Sequence, residues 1–301
     1  MIPSDVLAAI HARLARELAL PTSVLRPLRI DGVAAGWVDD VRASRIAKFD
    51  DVFDVAHDCI VFAAGIDDRA SRTAAMARVA RVLADDGLLT RWRDERYKVA
   101  HQFGAEPWFE LERAAARYFG VLTHAAHVNG LVRCPDGGIA MWIARRSDTK
   151  AIDPGMLDNL VGGGIAAGQS VASTVIKEAY EEAGIDSPLA ARSIEVGIVR
   201  ICREQPDGLQ RETIFAHDLW LPRDFSPACR DGEAVGHRLM PLAQTAALIA
   251  NSTGPNVVTA DASLVILDCL LRHVAIASDS PLRRELEALC TPRNEGCAFA
   301  T

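Results

Sequence analysis

Apolar and polar positions change period several times along the chain, and each change marks a predicted element. Residues 4–18 place apolar side chains at helical spacing, so the chain opens on an amphipathic helix. Residues 25–30 and 33–38 read as extended segments, and the short apolar run 59–64 reads as a strand. Ala74, Val79, Val82 and Leu83 fit one face of a helix over residues 67–86, which Asp85-Asp86-Gly87 stops. Residues 92–99 alternate as a strand does. Residues 107–118 read as a helix with proline in its first turn.

The texture changes near His124. Residues 125–133 and 139–144 are strand-like and joined by Pro135-Asp136-Gly137-Gly138, a hairpin signal. A loop rich in Asp, Pro and Gly covers residues 147–159 and leads to the run Gly162-Gly163-Gly164. A helix follows over residues 170–183. Strands over 193–203 and 211–221 are joined through Pro206-Asp207-Gly208, and a further strand lies near 234–240. Helices are predicted near 242–250, 260–277 and 281–289. Antiparallel hairpins with interposed helices imply an α/β (α+β) fold, a mixed-sheet α/β/α sandwich, not a regular doubly wound sheet. With 301 residues there is room for two domains. The reading divides the chain into an N-terminal α+β extension, residues 1–120, and a C-terminal domain, residues 121–301.

Composition narrows the function classes. Half of the residues are hydrophobic, enough for a sizeable core, and the formal charge of −7 disfavours nucleic acid as a partner. No apolar run approaches the roughly 18 uncharged residues of a membrane span. The N-terminus lacks the basic start and apolar block of a signal peptide, so the expected address is the cytoplasm, with no membrane partner. Seven cysteines (Cys59, Cys134, Cys202, Cys229, Cys269, Cys290, Cys297) are scattered and form no CxxC pair, which argues against a disulfide framework or a structural zinc site.

The chemistry concentrates on one predicted helix. Glu178, Glu181 and Glu182 stand at i, i+3 and i+4 and share a face, whereas Ala172, Ile176, Ala179 and Ala183 fall on another. Ser170 is a suitable N-cap, and Gly184 supplies the stop. Carboxylates about 6 Å apart at an effective dielectric near 20 repel by roughly 3 kcal/mol per pair, and by less than half of that in solvent. A solvated acidic face tolerates this; a hard divalent cation turns it into binding. On charge alone both readings stay open.

Residues 163–185 resemble the Nudix box: Gly, five residues, Glu, seven residues, Arg-Glu, an aliphatic, any residue, Glu-Glu, any residue, Gly, an aliphatic. Gly163, Glu178, Glu181, Glu182, Gly184 and Ile185 match in place, and Ala179 stands in the aliphatic slot. Gln169 replaces the first Glu and Lys177 the Arg, so the chain keeps a positive charge there without the bidentate fork. The resemblance implies a magnesium-dependent diphosphate hydrolase, with manganese as an alternative ion. Glu178, Glu181 and Glu182 would be metal ligands, and Glu178 a general base. In this family a further acidic residue often comes from a later loop; Glu233 is the candidate. The resemblance also implies a small-molecule diphosphate as partner, for which Gly163, Gly164, Lys177 and one of Arg145 and Arg146 are candidate contacts.

Further stretches resemble Nudix proteins related to the N-terminal part of fungal thiamine pyrophosphokinases. They include Tyr118-Phe119-Gly120, His127-Val128-Asn129-Gly130, residues 141–147, the loop 150–159, Asp231-Gly232-Glu233 and Pro255-Asn256. That likeness implies a thiamine-diphosphate-like compound, damaged or oxidised, cleaved to the monophosphate. A dinucleotide or nucleoside diphosphate derivative is the second substrate class, and a Nudix-fold binding module without turnover is the third reading. Trp142 and Trp220 are candidates for ring stacking or for the core, and Asn129-Gly130 for a kink or turn. The N-terminal extension carries no motif and is a candidate for shaping the site or for a homodimer contact.

Overall fold

The computed structural model describes residues 2–19, 21–150, 152–274 and 280–290. Its first helix, α1 (Ser4–Glu17), buries Leu7, Ile10 and Leu14 along one stripe. The chain continues through β1 (Leu25–Ile30), β2 (Val33–Asp39), α2 (Asp40–Ile46), β3 (Phe53–Val55), β4 (Ile60–Phe62) and α3 (Arg69–Asp85). The four strands pair in the order β2-β1-β4-β3, parallel only between β1 and β4. Helix α2 escaped the pattern because it is two turns long; the Asp39 carboxylate starts it by accepting the Arg42 N–H.

Next, β5 (Arg96–Val99) and β6 (Phe109–Glu112) form a separate antiparallel pair. Residues 107–118 are therefore not the helix that the sequence predicts. They hold β6 and a single 3-10 turn, Arg113–Ala115. Phe109 and Leu111 alternate into the core, and the β5 ladder satisfies backbone groups that a helix would have satisfied internally. Period-two burial outweighs the helical propensity of the alanines.

Among the described residues the second sheet holds seven strands: β7 (Leu122–Arg133), β8 (Ile139–Arg146), β9 (Leu157–Asp158), β10 (Val161–Gly164), β11 (Ile194–Gln205), β12 (Gly208–Trp220) and β13 (Ala234–Pro241). Helices α4 (Val171–Ala183) and α5 (Ser187–Ala190) lie between β10 and β11. The main path runs β11-β12-β7-β8-β13. Strand β7 is parallel to β12 and divides its other edge between β8, at Gly130–Arg133, and β10, at Ala125–Val128. Asn129-Gly130 is thus mid-strand, where the sequence suggests a kink or turn.

Helices cover both faces, which makes the expected mixed α/β/α sandwich. Helices α4 and α5 close over Ala126, Val128 and Val132. Helices α6 (Leu242–Ala250), α7 (Ala260–His273) and α8 (Pro281–Cys290) close over Ala125, Leu131, Ile214 and Ala216. The end of the helix predicted over 260–277 falls on residues 275–277, outside the described ones. Helix α1 joins this second layer instead of its own sheet. Its Arg13, 2% exposed, donates to the Ile249 carbonyl at 3.0 Å and to the Val258 carbonyl, and pairs with Glu17.

The rest of the N-terminal region has its own core around Leu28, Ile46, Phe53, Met76, Val79 and Phe109. A backbone bond from Leu209 N to Arg117 O, 2.9 Å, holds that region against the end of the second sheet. Cys59, Cys134, Cys229, Cys269 and Cys290 are unbridged, and Cys297 lies outside the described residues. Among the described residues no helix is long and apolar enough to cross a membrane.

Candidate active site

Helix α4 begins with a capping box, in which the Ser170 side chain accepts from Ser173 N–H and the Ser173 side chain from Ser170 N–H. It ends at Gly184 with φ 67°, a left-handed cap that suits glycine. Val175, Ala179 and Ala183 face the sheet. Glu178 and Glu181 then line a cavity of about 510 Å³, whereas Glu182 sinks beside it, 8% exposed. Its Oε2 accepts from Gly162 N–H at 2.9 Å, and its Oε1 is 3.3 Å from Lys150 Nζ. Burial pushes the Glu182 carboxyl up to about 8, against the pull of Lys150 and the Gly162 N–H. Burial also raises Glu178, opposed by Lys177.

The run Gly162-Gly163-Gly164 is a strand paired with β7. Alternate residues of a strand face opposite sides, so each glycine answers a different neighbour. A Cβ on Gly163 would lie 2.5 Å from Glu178 Cδ. On the other face, a Cβ on Gly164 would lie 2.1 Å from the Tyr97 hydroxyl, and one on Gly162 would lie 3.0 Å from the His127 ring. Missing side chains let Glu178 lie on one face and Tyr97 and His127 on the other.

Glu233, in the loop before β13, reaches the same cavity. It pairs with Lys150 and lies 3.4 Å from Arg93 Nη1; these two cations outweigh burial and hold its carboxyl below the usual range. Lys177 Nζ lies 2.9 Å from Glu178 and 3.1 Å from Glu181. Two ammonium groups thus sit among four carboxylates. Hard oxygen donors with such a demand for positive charge fit Mg2+, which takes carboxylate oxygens and retains waters.

Arg145 and Arg146 diverge, as neighbours on a strand must. Arg145 is not brought to the cavity; it donates to the Gly155 and Pro255 carbonyls at 2.7 and 2.8 Å and to Asn256. Arg146 lines the cavity, but its guanidinium is engaged by Asp158 and the Ile152 and Asp153 carbonyls. Both arginines therefore fix the loops around residues 150–158 and 255–256. Gln169 accepts from Ser173 Oγ at 2.7 Å outside the cavity. Trp142 packs with the α4 core, and Trp220 lies under Arg133 and against His273.

The cavity also takes Arg91, Arg93, Tyr97 and Arg113 from the N-terminal region and His127 and Glu212 from the sheet. Sequence reading gave none of these a role. Lys150 lay within the quoted loop, but its distance along the chain from α4 hid its partnership with Glu182.

A family model for the NUDIX domain matches residues 123–260, and one described as a domain of unknown function (DUF4743) matches residues 9–123. Nudix hydrolase 24, chloroplastic, of Arabidopsis thaliana is 37% identical over 257 residues, which are 85% of this chain and 69% of that protein. The chain belongs to the Nudix hydrolase family. It is a Nudix pyrophosphohydrolase, an enzyme acting on a diphosphate linkage. Nudix hydrolase 20, chloroplastic, of the same plant is 42% identical over 209 residues, 69% of this chain and 55% of its own length. The crystal structure of DR0079 from Deinococcus radiodurans is similar over 60% of this chain and all of its own, at 20% identity and a TM-score of 0.40. The Nudix box, residues 163–185, therefore runs from β10 through the loop into α4, with its glycine and its first helical glutamate in mutual contact.

Proposed function

We propose that this Nudix hydrolase cleaves a thiamine-diphosphate-like compound to its monophosphate with Mg2+, or Mn2+, as cofactor. The observation that carries the metal-dependent reading is the set Glu178, Glu181, Glu182 and Glu233, interleaved with Lys150 and Lys177 at the edge of a large cavity. The resemblance of the flanking stretches supports the substrate class.

In this reading Glu178, Glu181 and Glu182 hold the ion, which when bound supplies charge to the diphosphate oxygens and helps to activate water. Glu178 is also the candidate base: burial raises its carboxyl, which favours taking a proton from the attacking water. Water attacks one phosphorus, the bond from that phosphorus to the bridging oxygen breaks, and phosphate separates from the monophosphate. Lys150, Lys177 and Arg93 supply positive charge to the phosphoryl oxygens. Arg146 shapes the loop carrying Lys150, and Gly163 and Gly164 leave room for Glu178 and Tyr97 at the cavity wall. The N-terminal region, residues 1–120, completes the substrate cavity with its arginines and Tyr97.

The test is formation of monophosphate products from thiamine diphosphate, its oxidised analogues, nucleoside diphosphate derivatives and dinucleotides, separated by chromatography, with and without Mg2+. The proposal expects Mg2+-dependent turnover highest on the thiamine series. Preference for a nucleotide would replace the substrate, and binding without turnover on any of them would favour a non-catalytic module.

A further inference from the structure

The strand that carries the Nudix glycines cannot hold its own place. Three of the four residues of β10 are glycine, which leaves Val161 as its one packing side chain. Glycine also has the most backbone freedom to lose on ordering. The strand pairs with β7 on one edge, and among the described residues no strand covers the other. Glu178 nevertheless leans on it, since a Cβ on Gly163 would lie 2.5 Å from Glu178 Cδ. A carboxylate set against so soft a wall needs that wall braced from the far side.

The brace comes from the N-terminal region. Residues 93–97 touch both of the loops next to the candidate carboxylates. Arg93 Nη1 lies 3.4 Å from Glu233 Oε1, in the loop before β13. Farther along the same segment, Arg96 O accepts from Ala167 N–H at 2.7 Å, in the loop between β10 and α4. Tyr97, 6% exposed, sets its ring against Gly164. A Cβ on that glycine would lie 2.1 Å from the hydroxyl and 2.9 Å from ring carbon Cζ. Neighbouring residues of a strand face opposite sides, so β10 is gripped between Glu178 and Tyr97.

The segment is itself fixed. Glu112, 5% exposed and not part of the cavity lining, accepts from Arg93 N–H at 3.1 Å, and Arg113 N–H donates to Glu95 O at 2.8 Å. The ladder to β6 pins Arg96 and Tyr97. Beyond β5, Phe103 sets its ring 5.0 Å from that of His124 and 4.8 Å from that of Phe215, which ties the hairpin to β7 and β12.

We propose that residues 93–97 form a bracket that holds the β10–α4 loop and the Glu233 loop at a fixed separation. Tyr97 and Glu112 are then positioning residues: Tyr97 acts on Glu178 through β10, and Glu112 acts on Glu233 through Arg93. The proposal rests on reading Glu178 and Glu233 as carboxylates of the catalytic site.

Hydrogen exchange of the full metal-free chain, read by mass spectrometry, tests the bracket without substrate. Tyr97→Ala should speed exchange in peptides covering residues 163–169 at least tenfold, with peptides from α7 unchanged. Mn2+ alone, titrated by electron spin resonance, should bind that variant at least tenfold more weakly, and kcat on whichever compound of the panel above is cleaved should fall by a similar factor. Tyr97→Phe keeps Cζ against Gly164 and should recover most of each loss. Glu112→Ala should weaken Mn2+ binding at least threefold, and Glu112→Gln, which keeps an acceptor for Arg93 N–H, should stay close to the parent. Unchanged exchange in Tyr97→Ala overturns the proposal, and so does faster exchange with parental Mn2+ affinity. A Tyr97→Phe variant as impaired in kcat as Tyr97→Ala overturns it too, because the hydroxyl would then be a substrate contact. Failure of the site reading shows separately, as parental Mn2+ affinity and activity in Glu178→Gln.

Discussion

Lys150 Nζ lies 3.3 Å from Glu182 Oε1, and each of these side chains is 10% exposed. The lysine stands where the acidic edge would otherwise carry uncompensated charge. Removing one partner of a buried pair costs about 3–5 kcal/mol, less here because Glu182 can take up a proton. Lys150→Ala should therefore lower the melting temperature of the metal-free protein by several degrees. Added Mg2+ should raise it more in the variant than in the parent, since the ion replaces the missing charge. An equal response in thermal-shift titrations would separate Lys150 from the ion's site.

Glu182→Gln replaces a buried carboxyl whose ionised form burial disfavours, and keeps an acceptor for Gly162 N–H. The metal-free variant is expected to melt at or above the parent temperature while hydrolysis falls at least a hundredfold. Glu181, with its side chain 36% exposed, should show the same loss of rate on Glu181→Gln with little change in melting. Measured kcat and Mg2+ affinity check both, and full activity of either variant would sink the assignment.

Gly163→Ala would set a methyl group 2.5 Å from Glu178 Cδ. Either β10 or the glutamate must move. Because misplacement of about 1 Å can cost a hundredfold in rate, kcat should drop by about two orders of magnitude. Fold loss is excluded by an unchanged circular dichroism spectrum. A variant within threefold of the parent would mean that Glu178 adjusts without consequence.

His124 is 7% exposed, its ring 5.0 Å from that of Phe103. Burial pushes its imidazole down to about 4. Unfolded, it titrates near 6.5, so between these values the unfolded chain binds a proton that the native state refuses. The resulting stability is fully present above pH 6.5 and is lost as pH falls through 4, on the order of 3 kcal/mol. His124→Phe should lose less stability than the parent between pH 7 and pH 4, read as urea midpoints at each pH. Parallel losses in both proteins would place the acid sensitivity elsewhere.

Helix α4 was legible because what defines it is local: a cap at Ser170, a glycine stop and three glutamates at helical spacing; of its expected apolar face Ala179 and Ala183 are buried, whereas Ala172 is exposed and Val175 is buried instead. The hairpin β7–β8 was legible for the same reason, with its turn residues between two strand-like runs. Strand β6 was not, because its period-two burial became decisive only once β5 was there to pair with it. The role of the glycine run was not legible: these residues serve by lacking a Cβ beside Glu178, Tyr97 and His127, neighbours that only the fold supplies. Lys150, Arg93 and Tyr97 reach the acidic helix only through long-range folding, and no spacing rule connects them to it.

Arg13 gives the architecture a further meaning. By clamping carbonyls at Ile249 and Val258, it staples α1 to a layer whose residues follow α4 in the chain. A gene fragment starting at residue 123 would uncover the oily seam along α6 and α7. The two halves are thus welded into one heritable piece: recombination at the midpoint would break that layer, and a ribosome must pass His273 before it can close.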